Sequence, residues 1–281
     1  MAGRGRGRAM LPTIAATFAA HGVKLDVQVT PAPGEAARLA GDAASEGYAV
    51  VVAVGGDGTA NECANGLMGA ETALALFPLG TGNDLARNLG YPRRRREVPA
   101  FLAKGARQRR IDVGEANGRV FVNHVGVGID GVVAASAARY ARVLGPFAGY
   151  ALASLVAIAR YQPTPMQVSV DGAREEGSYL IVLASNGVHF GGGMRAAPGA
   201  DMSDGALDVT IAGALDRSGA LATLARLYRG KHVDGQRVRG VRAQRLEVTF
   251  ERAVPMELDG EPSRVRGLSV AIRPSSLTVL A

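Results

Sequence analysis

The sequence predicts an α/β protein of two domains, a parallel N-terminal α/β domain followed by a mainly antiparallel β domain. Three observations carry this. Ala49–Val54 is an unbroken apolar run, the pattern of a strand buried on both faces of a parallel sheet. Over the first hundred residues such strands alternate with helical stretches, which places a ligand cleft at the strand C-terminal ends. After Tyr91-Pro92 and four consecutive arginines, strand-like segments dominate. A length of 281 residues also suits two domains better than one. The expected boundaries are 1–113 with a returning 273–281, and 114–272.

Leu11–His21 carries apolar residues at helical spacing and ends at Gly22, Lys24–Val29 alternates as a strand, and Glu35–Glu46 is an alanine-rich helix. The strand Ala49–Val54 enters Gly55-Gly56-Asp57-Gly58-Thr59 and then a helix, Ala60–Met68. A second strand, Ala73–Phe77, enters Pro78–Asp84 and the helix Leu85–Leu89. Both glycine turns therefore fall at one edge of the sheet, where backbone N–H groups and helix dipoles converge to receive a phosphate. An ordinary βα turn is the alternative for either taken alone. In the second domain the strands are Arg109–Val113, Val120–Val125, Met166–Val170, Tyr179–Ala184, Ala206–Ile211, Arg245–Phe250 and Val265–Ile272. Helical insertions fall at Gly131–Tyr161, in two pieces, and at Asp216–Gly230, and Leu277–Leu280 is expected to return to the first domain.

Apolar residues make up 47% of the chain and mean hydropathy is near zero, as in a soluble globular protein. The longest apolar stretch, Gly145–Ala159, is interrupted by Pro146 and falls short of the roughly 20 residues that span a bilayer. The basic start is not followed by the apolar core of a signal peptide. A single cysteine, Cys63, excludes an internal disulfide framework and points to the cytoplasm. The net charge of +7 comes with arginine clusters at Arg4–Arg8, Arg93–Arg96, Arg107–Arg110 and, more loosely, Arg237–Arg245. Such a surface suits nucleic acid, anionic lipid headgroups or nucleotide phosphates. With 5% aromatic residues and no tryptophan, a base-stacking surface is disfavoured.

The glycine turn of residues 55–59, followed by Asn61-Glu62 and Asn65-Gly66, resembles the nucleotide loop of bacterial diacylglycerol-kinase-type lipid kinases. The related sphingosine, ceramide, NAD and 6-phosphofructo-kinases share its GGDG core. Four further stretches narrow the resemblance to the lipid kinases: Pro78–Asp84 with Leu85-Ala86-Arg87; Ile111–Gly114 with Asn123–Asp130; Asn186–Asp208; and Leu258-Asp259-Gly260-Glu261. The likeness runs in colinear order over the whole chain. It implies an NAD-kinase/phosphofructokinase-like first domain, a β-sandwich second domain, a site in the cleft between them, and ATP and Mg²⁺ as cofactors. The sequence departs from the family at its start, where Ala2–Arg6 resembles only the end of an Asn-Pro-x-x-Gly phosphate turn. The expectation is a reading frame that begins roughly ten residues upstream, since a strand lost from inside the sheet leaves unpaired backbone groups.

By resemblance, Gly3, Thr30, Gly55, Gly56, Asp57, Gly58, Thr59, Ala60, Asn61, Thr81 and Asp84 would bind the nucleotide. Asp57 would meet Mg²⁺ directly or through water, with Asp84 and Asp112 in the same acidic network; a helix N-cap is the alternative for Asp84. The Asp204 side chain and the backbone carbonyls of Asp201 and Ala206 would form a second Mg²⁺ site, an acidic turn without metal being the alternative. Transfer to a hydroxyl needs a base, and Glu261 is the first candidate, Asp259 the second. Cys63 and the four histidines, His124 among them, are assigned no chemistry. The implied acceptor is a diacylglycerol-like lipid, met at an anionic membrane surface by a cytoplasmic protein, with no specific nucleic-acid partner and a homodimer left open. Gly145–Tyr161 reads equally as the apolar wall of a lipid slot and as a core helix. Two other readings stand beside the kinase: a non-catalytic nucleotide- or lipid-binding protein, and a basic nucleic-acid-binding protein with an RG-rich arm. NAD kinase is a weaker third.

Overall fold

The computed structural model describes residues 6–281, which form two compact units. One comprises the chain up to Ile111 together with Ser275–Ala281, the other Asp112–Pro274.

The first unit is α/β. It contains α1 (Arg6–Ala19), α2 (Glu35–Ser45), β1 (Val50–Gly55), α3 (Asp57–Gly66), β2 (Ala73–Pro78), α4 (Asp84–Asn88) and α5 (Val98–Lys104). β1 and β2 pair in parallel from Val50↔Ala73 to Gly55↔Pro78, and the chain's last strand returns to pair Val279 with Leu74. α1 buries Ile14 and Phe18, whose ring lies 6.2 Å from that of Phe77 on β2. α2 and α3 touch backbone to backbone, because a Cβ on Gly66 would stand 2.0 Å from the Ala37 carbonyl oxygen.

Two expectations fail here. Lys24–Val29 forms no strand, and Val27 and Val29 are exposed. β1 is not buried on both faces: Val50 is exposed and Val51 and Val52 are only half-buried, β2 being its one strand neighbour among the described residues. Alternation equips a segment for a sheet but supplies no edge to pair with, and a lone extended segment is not stable by itself.

The second unit is built from β3 (Gln108–Ala116, which begins in the first unit), β4 (Arg119–Phe121), β5 (His124–Gly128), α6 (Ile129–Leu144), α7 (Pro146–Arg160), β6 (Thr164–Val170), β7 (Ala173–Ser185), β8 (His189–Phe190), β9 (Met194–Arg195), β10 (Leu207–Gly213), α8 (Arg217–Leu227), β11 (Val238–Ala243), β12 (Arg245–Leu258) and β13 (Glu261–Leu280). Its pairings are antiparallel, as expected. Besides pairing with β10 and β13 respectively, the two long strands β7 and β12 each serve two further neighbours in succession. β7 pairs with β6 through Ala173–Tyr179 and with β5 through Ile181–Ser185. β12 pairs with β6 through Leu246–Thr249 and with β5 through Met256–Leu258. The register of β12 against β13 shifts between Thr249 and Val254, the kind of irregularity at which a strand turns from one layer of a sandwich to the other. Between the layers lie Phe121, Val127, Val182, Leu207, Leu246 and Leu258. Among the described residues no helix is long and apolar enough to cross a membrane.

Candidate active site

In the first unit the two glycine turns sit against each other. A Cβ on Gly80 would fall 2.4 Å from Gly56 Cα, and one on Gly56 would fall 3.0 Å from Gly80 Cα, so neither position admits a side chain unless backbone moves. Leu79 N–H donates to the Gly55 carbonyl at 2.7 Å, and Gly80 N–H donates to Asn83 Oδ1 at 2.9 Å. Helix α3 begins at Asp57, inside the first turn, so the N–H groups of its opening residues stand at a helix N-terminus. The Asp57 Oδ1 accepts from Leu85 N–H at 3.1 Å and thereby ties the first turn to the start of α4. Asp84 is buried and ion-paired with Arg87; the residue at the N-cap is Asn83, in the left-handed region at φ 51°. Thr81 is exposed, while Thr59, Asn61 and Thr30 are half-buried and Ala60 is buried. Thr30 closes the unpaired stretch after α1. Gly3 lies outside the described residues. Cys63 is buried on α3, which pushes its thiol pKa up to about 12 and leaves it inert.

In the second unit, Asp259 and Gly260 form the two-residue loop between β12 and β13, flanked by the pair Leu258↔Glu261. Both loop residues have positive φ, 46° and 92°, the requirement of a type I′ hairpin turn. The structure separates the two candidate bases. Asp259 is buried, and its carboxylate accepts from the backbone N–H of Val122 at 2.6 Å and of Asn123 and His124 at 2.9 Å each. That occupies it in holding the chain. Glu261 is more than half exposed and pairs with Arg119 at 2.8 Å, which leaves it able to meet a substrate.

In the acidic turn the side-chain oxygens already have partners within the protein. Asp204 Oδ1 accepts from Ala206 N–H at 3.0 Å, and Oδ2 is paired with the Arg242 guanidinium, which a metal bound there would displace. Asp201 Oδ1 accepts from both the N–H and the hydroxyl of Ser203. Asp112 supports the same turn: its N–H donates to the Met202 carbonyl at 2.6 Å, and its Oδ2 accepts from Gly205 N–H at 2.7 Å.

The profile of the diacylglycerol kinase catalytic domain matches residues 1–116, and that of the YegS C-terminal NAD kinase beta sandwich-like domain matches residues 123–281. A Pseudomonas aeruginosa protein named "Probable lipid kinase YegS-like" is 37% identical over 262 residues, 92% of this chain and 85% of that protein. The chain belongs to the diacylglycerol kinase family of lipid kinases. A Bacillus subtilis (strain 168) protein named "Diacylglycerol kinase" is 29% identical over 87% of this chain and 81% of its own length. Among solved structures, a Bacillus anthracis str. Sterne chain named as a candidate diacylglycerol kinase superposes with a TM-score of 0.82 at 26% identity, covering 100% of this chain and 94% of the other.

Sequence reasoning missed the other polar group of this lipid-kinase-family chain. His124, Asp130 and Glu257 converge beneath the Asp259–Gly260 loop, all three buried. Gly131 seats α6 on β12, since a Cβ there would meet Met256 N at 2.5 Å, and this brings the preceding Asp130 to Glu257. His124 Nε2 lies 2.8 Å from Glu257 Oε2. Burial lowers the imidazole pKa, but Glu257 opposes it, with smaller help from Asp130 and Asp259, and the result is pushed up to about 10. Burial and the neighbouring Glu257 hold the Asp130 carboxyl well above the usual range. Spacing could not reveal the group, whose members come from β5, α6 and the end of β12.

A raised folded-state pKa at His124 means that its contribution to stability is full below 6.5 and lost as pH rises towards 10. Asp130 acts with the same sign from lower pH. The thermal midpoint is therefore expected to fall between pH 6.5 and 10, and a melt series on His124→Gln to show a shallower fall; an equally steep fall in the variant would refute the assignment.

Asp130 also lines a cavity of about 110 Å³ under α6, α7 and α8. Its walls include Val133, Ile158, Leu180, Phe190 and Leu224, and Asp130 is its only carboxyl.

Proposed function

We propose that the chain is an ATP-dependent, Mg²⁺-requiring lipid kinase that transfers the γ-phosphoryl group to a hydroxyl of diacylglycerol or a related lipid. The observation that carries this reading is the contact between the two glycine turns, with no room for a Cβ, at the N-terminus of α3. Backbone N–H groups there can reach phosphate oxygens that any side chain would keep away. Mg²⁺ supplies charge neutralisation on the phosphates. Asp57 would offer it a hard oxygen ligand, directly or through water. Glu261 accepts the proton of the acceptor hydroxyl as its oxygen bonds to phosphorus and the bond to ADP breaks.

The lipid side rests on the second unit. Gly145–Tyr161 forms most of α7, and its Tyr150, Ser154 and Ile158 line the apolar cavity, which favours the lipid-slot reading of that stretch over a plain core helix. The cavity approaches the ~150 Å³ at which an apolar protein cavity takes a benzene ring, room for the end of one acyl chain. Val143 and Leu144, at the end of α6, are exposed apolar residues suited to contact with a lipid surface.

The test is transfer of label from radiolabelled ATP to lipids in mixed micelles, with and without Mg²⁺. Mg²⁺-dependent labelling of a diacylglycerol-type lipid is expected. A second reading, a binding protein that performs no transfer, draws on the unpaired Lys24–Val29 and the half-exposed β1 beside the nucleotide turn. ATP binding without label in any lipid would establish it instead.

A further inference from the structure

The buried group of His124, Glu257 and Asp130 holds the loop that carries Glu261 from two sides. Glu257 Oε1 accepts from Gly260 N–H, while its Oε2 faces His124 Nε2 at 2.8 Å. The backbone of the same histidine grips the neighbouring loop residue: His124 N–H donates to Asp259 Oδ1 at 2.9 Å, and Asp259 N–H donates to the His124 carbonyl at 3.1 Å. The Phe190 ring packs edge-on against the imidazole at 4.9 Å and fixes its plane. The loop needs such restraint, because Asp259 is a non-glycine residue at positive φ.

Stability alone does not account for the group. A buried ion pair is commonly replaceable by apolar residues of similar volume without loss, so its presence here calls for a geometric role. The group also runs from the loop at one end to Asp130, a residue of the cavity wall, at the other.

We infer that His124 and Glu257 are positioning residues that hold the Asp259–Gly260 loop so that Glu261 meets the acceptor hydroxyl. The inference rests on the reading of Glu261 as the base. Neither His124 nor Glu257 touches the reacting atoms. They act through Gly260 and Asp259.

The experiment compares the wild type with Glu257→Gln, His124→Gln and the double variant His124→Leu/Glu257→Leu, which leaves no unpaired charge behind. Each is measured for kcat, for KM of ATP and of diacylglycerol in mixed micelles, for thermal midpoint, and for amide hydrogen exchange across residues 258–262. A displaced catalytic group costs roughly tenfold to a hundredfold in turnover. That loss is expected in kcat for all three variants, with KM for ATP within about twofold, since the nucleotide turns are elsewhere in the chain. The apolar double variant is expected to recover the thermal midpoint but not kcat, and exchange at Gly260 to be faster in every variant. Recovery of kcat along with the midpoint in the double variant, or unchanged kcat in the single ones, would overturn the inference and leave only a structural cluster. If the wild type transfers no label, it is the kinase reading that has failed. Hydrogen exchange then decides the support by itself: unchanged protection of Gly260 in His124→Leu/Glu257→Leu refutes it.

Discussion

Glu261→Gln is expected to lower lipid phosphorylation by roughly a hundred- to ten-thousand-fold, the usual contribution of a positioned general base, while ATP still binds. The substitution keeps the shape of the side chain and removes its ability to take a proton. It should leave the fold alone: the side chain is more than half exposed, and an ion pair such as that with Arg119 is worth only about 0–1 kcal/mol at a surface. Steady-state kinetics, calorimetric ATP binding and a thermal melt on one preparation check all three statements. Turnover within tenfold of the wild type would remove Glu261 from the mechanism. Asp259→Asn makes the informative contrast. It disturbs a carboxylate that accepts three backbone N–H groups, so it is expected to lower the thermal midpoint together with the activity.

Gly80→Ala carries the second large expected effect. Its Cβ would stand 2.4 Å from Gly56 Cα and 2.8 Å from Asn83 Oδ1, and the first of these is backbone, which cannot rotate away. Overpacking of this kind costs about 1–3 kcal/mol, and here it also pushes apart the two turns that receive the nucleotide. A lower thermal midpoint and at least a tenfold weaker ATP affinity are expected, about 1.4 kcal/mol of binding free energy. Gly58→Ala separates fold from ligand, because a Cβ there meets nothing within 4 Å. It should leave the midpoint in place and weaken ATP alone. ATP binding unchanged in both variants would exclude these turns as the nucleotide site.

The glycine turns were legible because their chemistry is local: strand, glycines, acid and helix start follow one another within a dozen residues, and α3 opens at Asp57. The strand-rich second unit was legible from its apolar runs, although β11 passed for a basic cluster, its arginines and Gly240 masking a strand that pairs with β10. Lys24–Val29 shows the limit from the other direction, since alternation is a property of the segment and pairing a property of its neighbour.

Within the candidate site the same division holds. The sequence by itself determined the family, the two turns and the presence of two acids around Gly260. Only the tertiary structure decided between those acids, because the N–H groups that occupy Asp259 come from Val122–His124, far back along the chain. It likewise set Arg242 against Asp204 and gathered His124, Asp130 and Glu257 from three elements. Residue type and order record what a segment can do locally. Burial, charge pairing and the direction of a hydrogen bond are fixed by whichever distant segment packs against it.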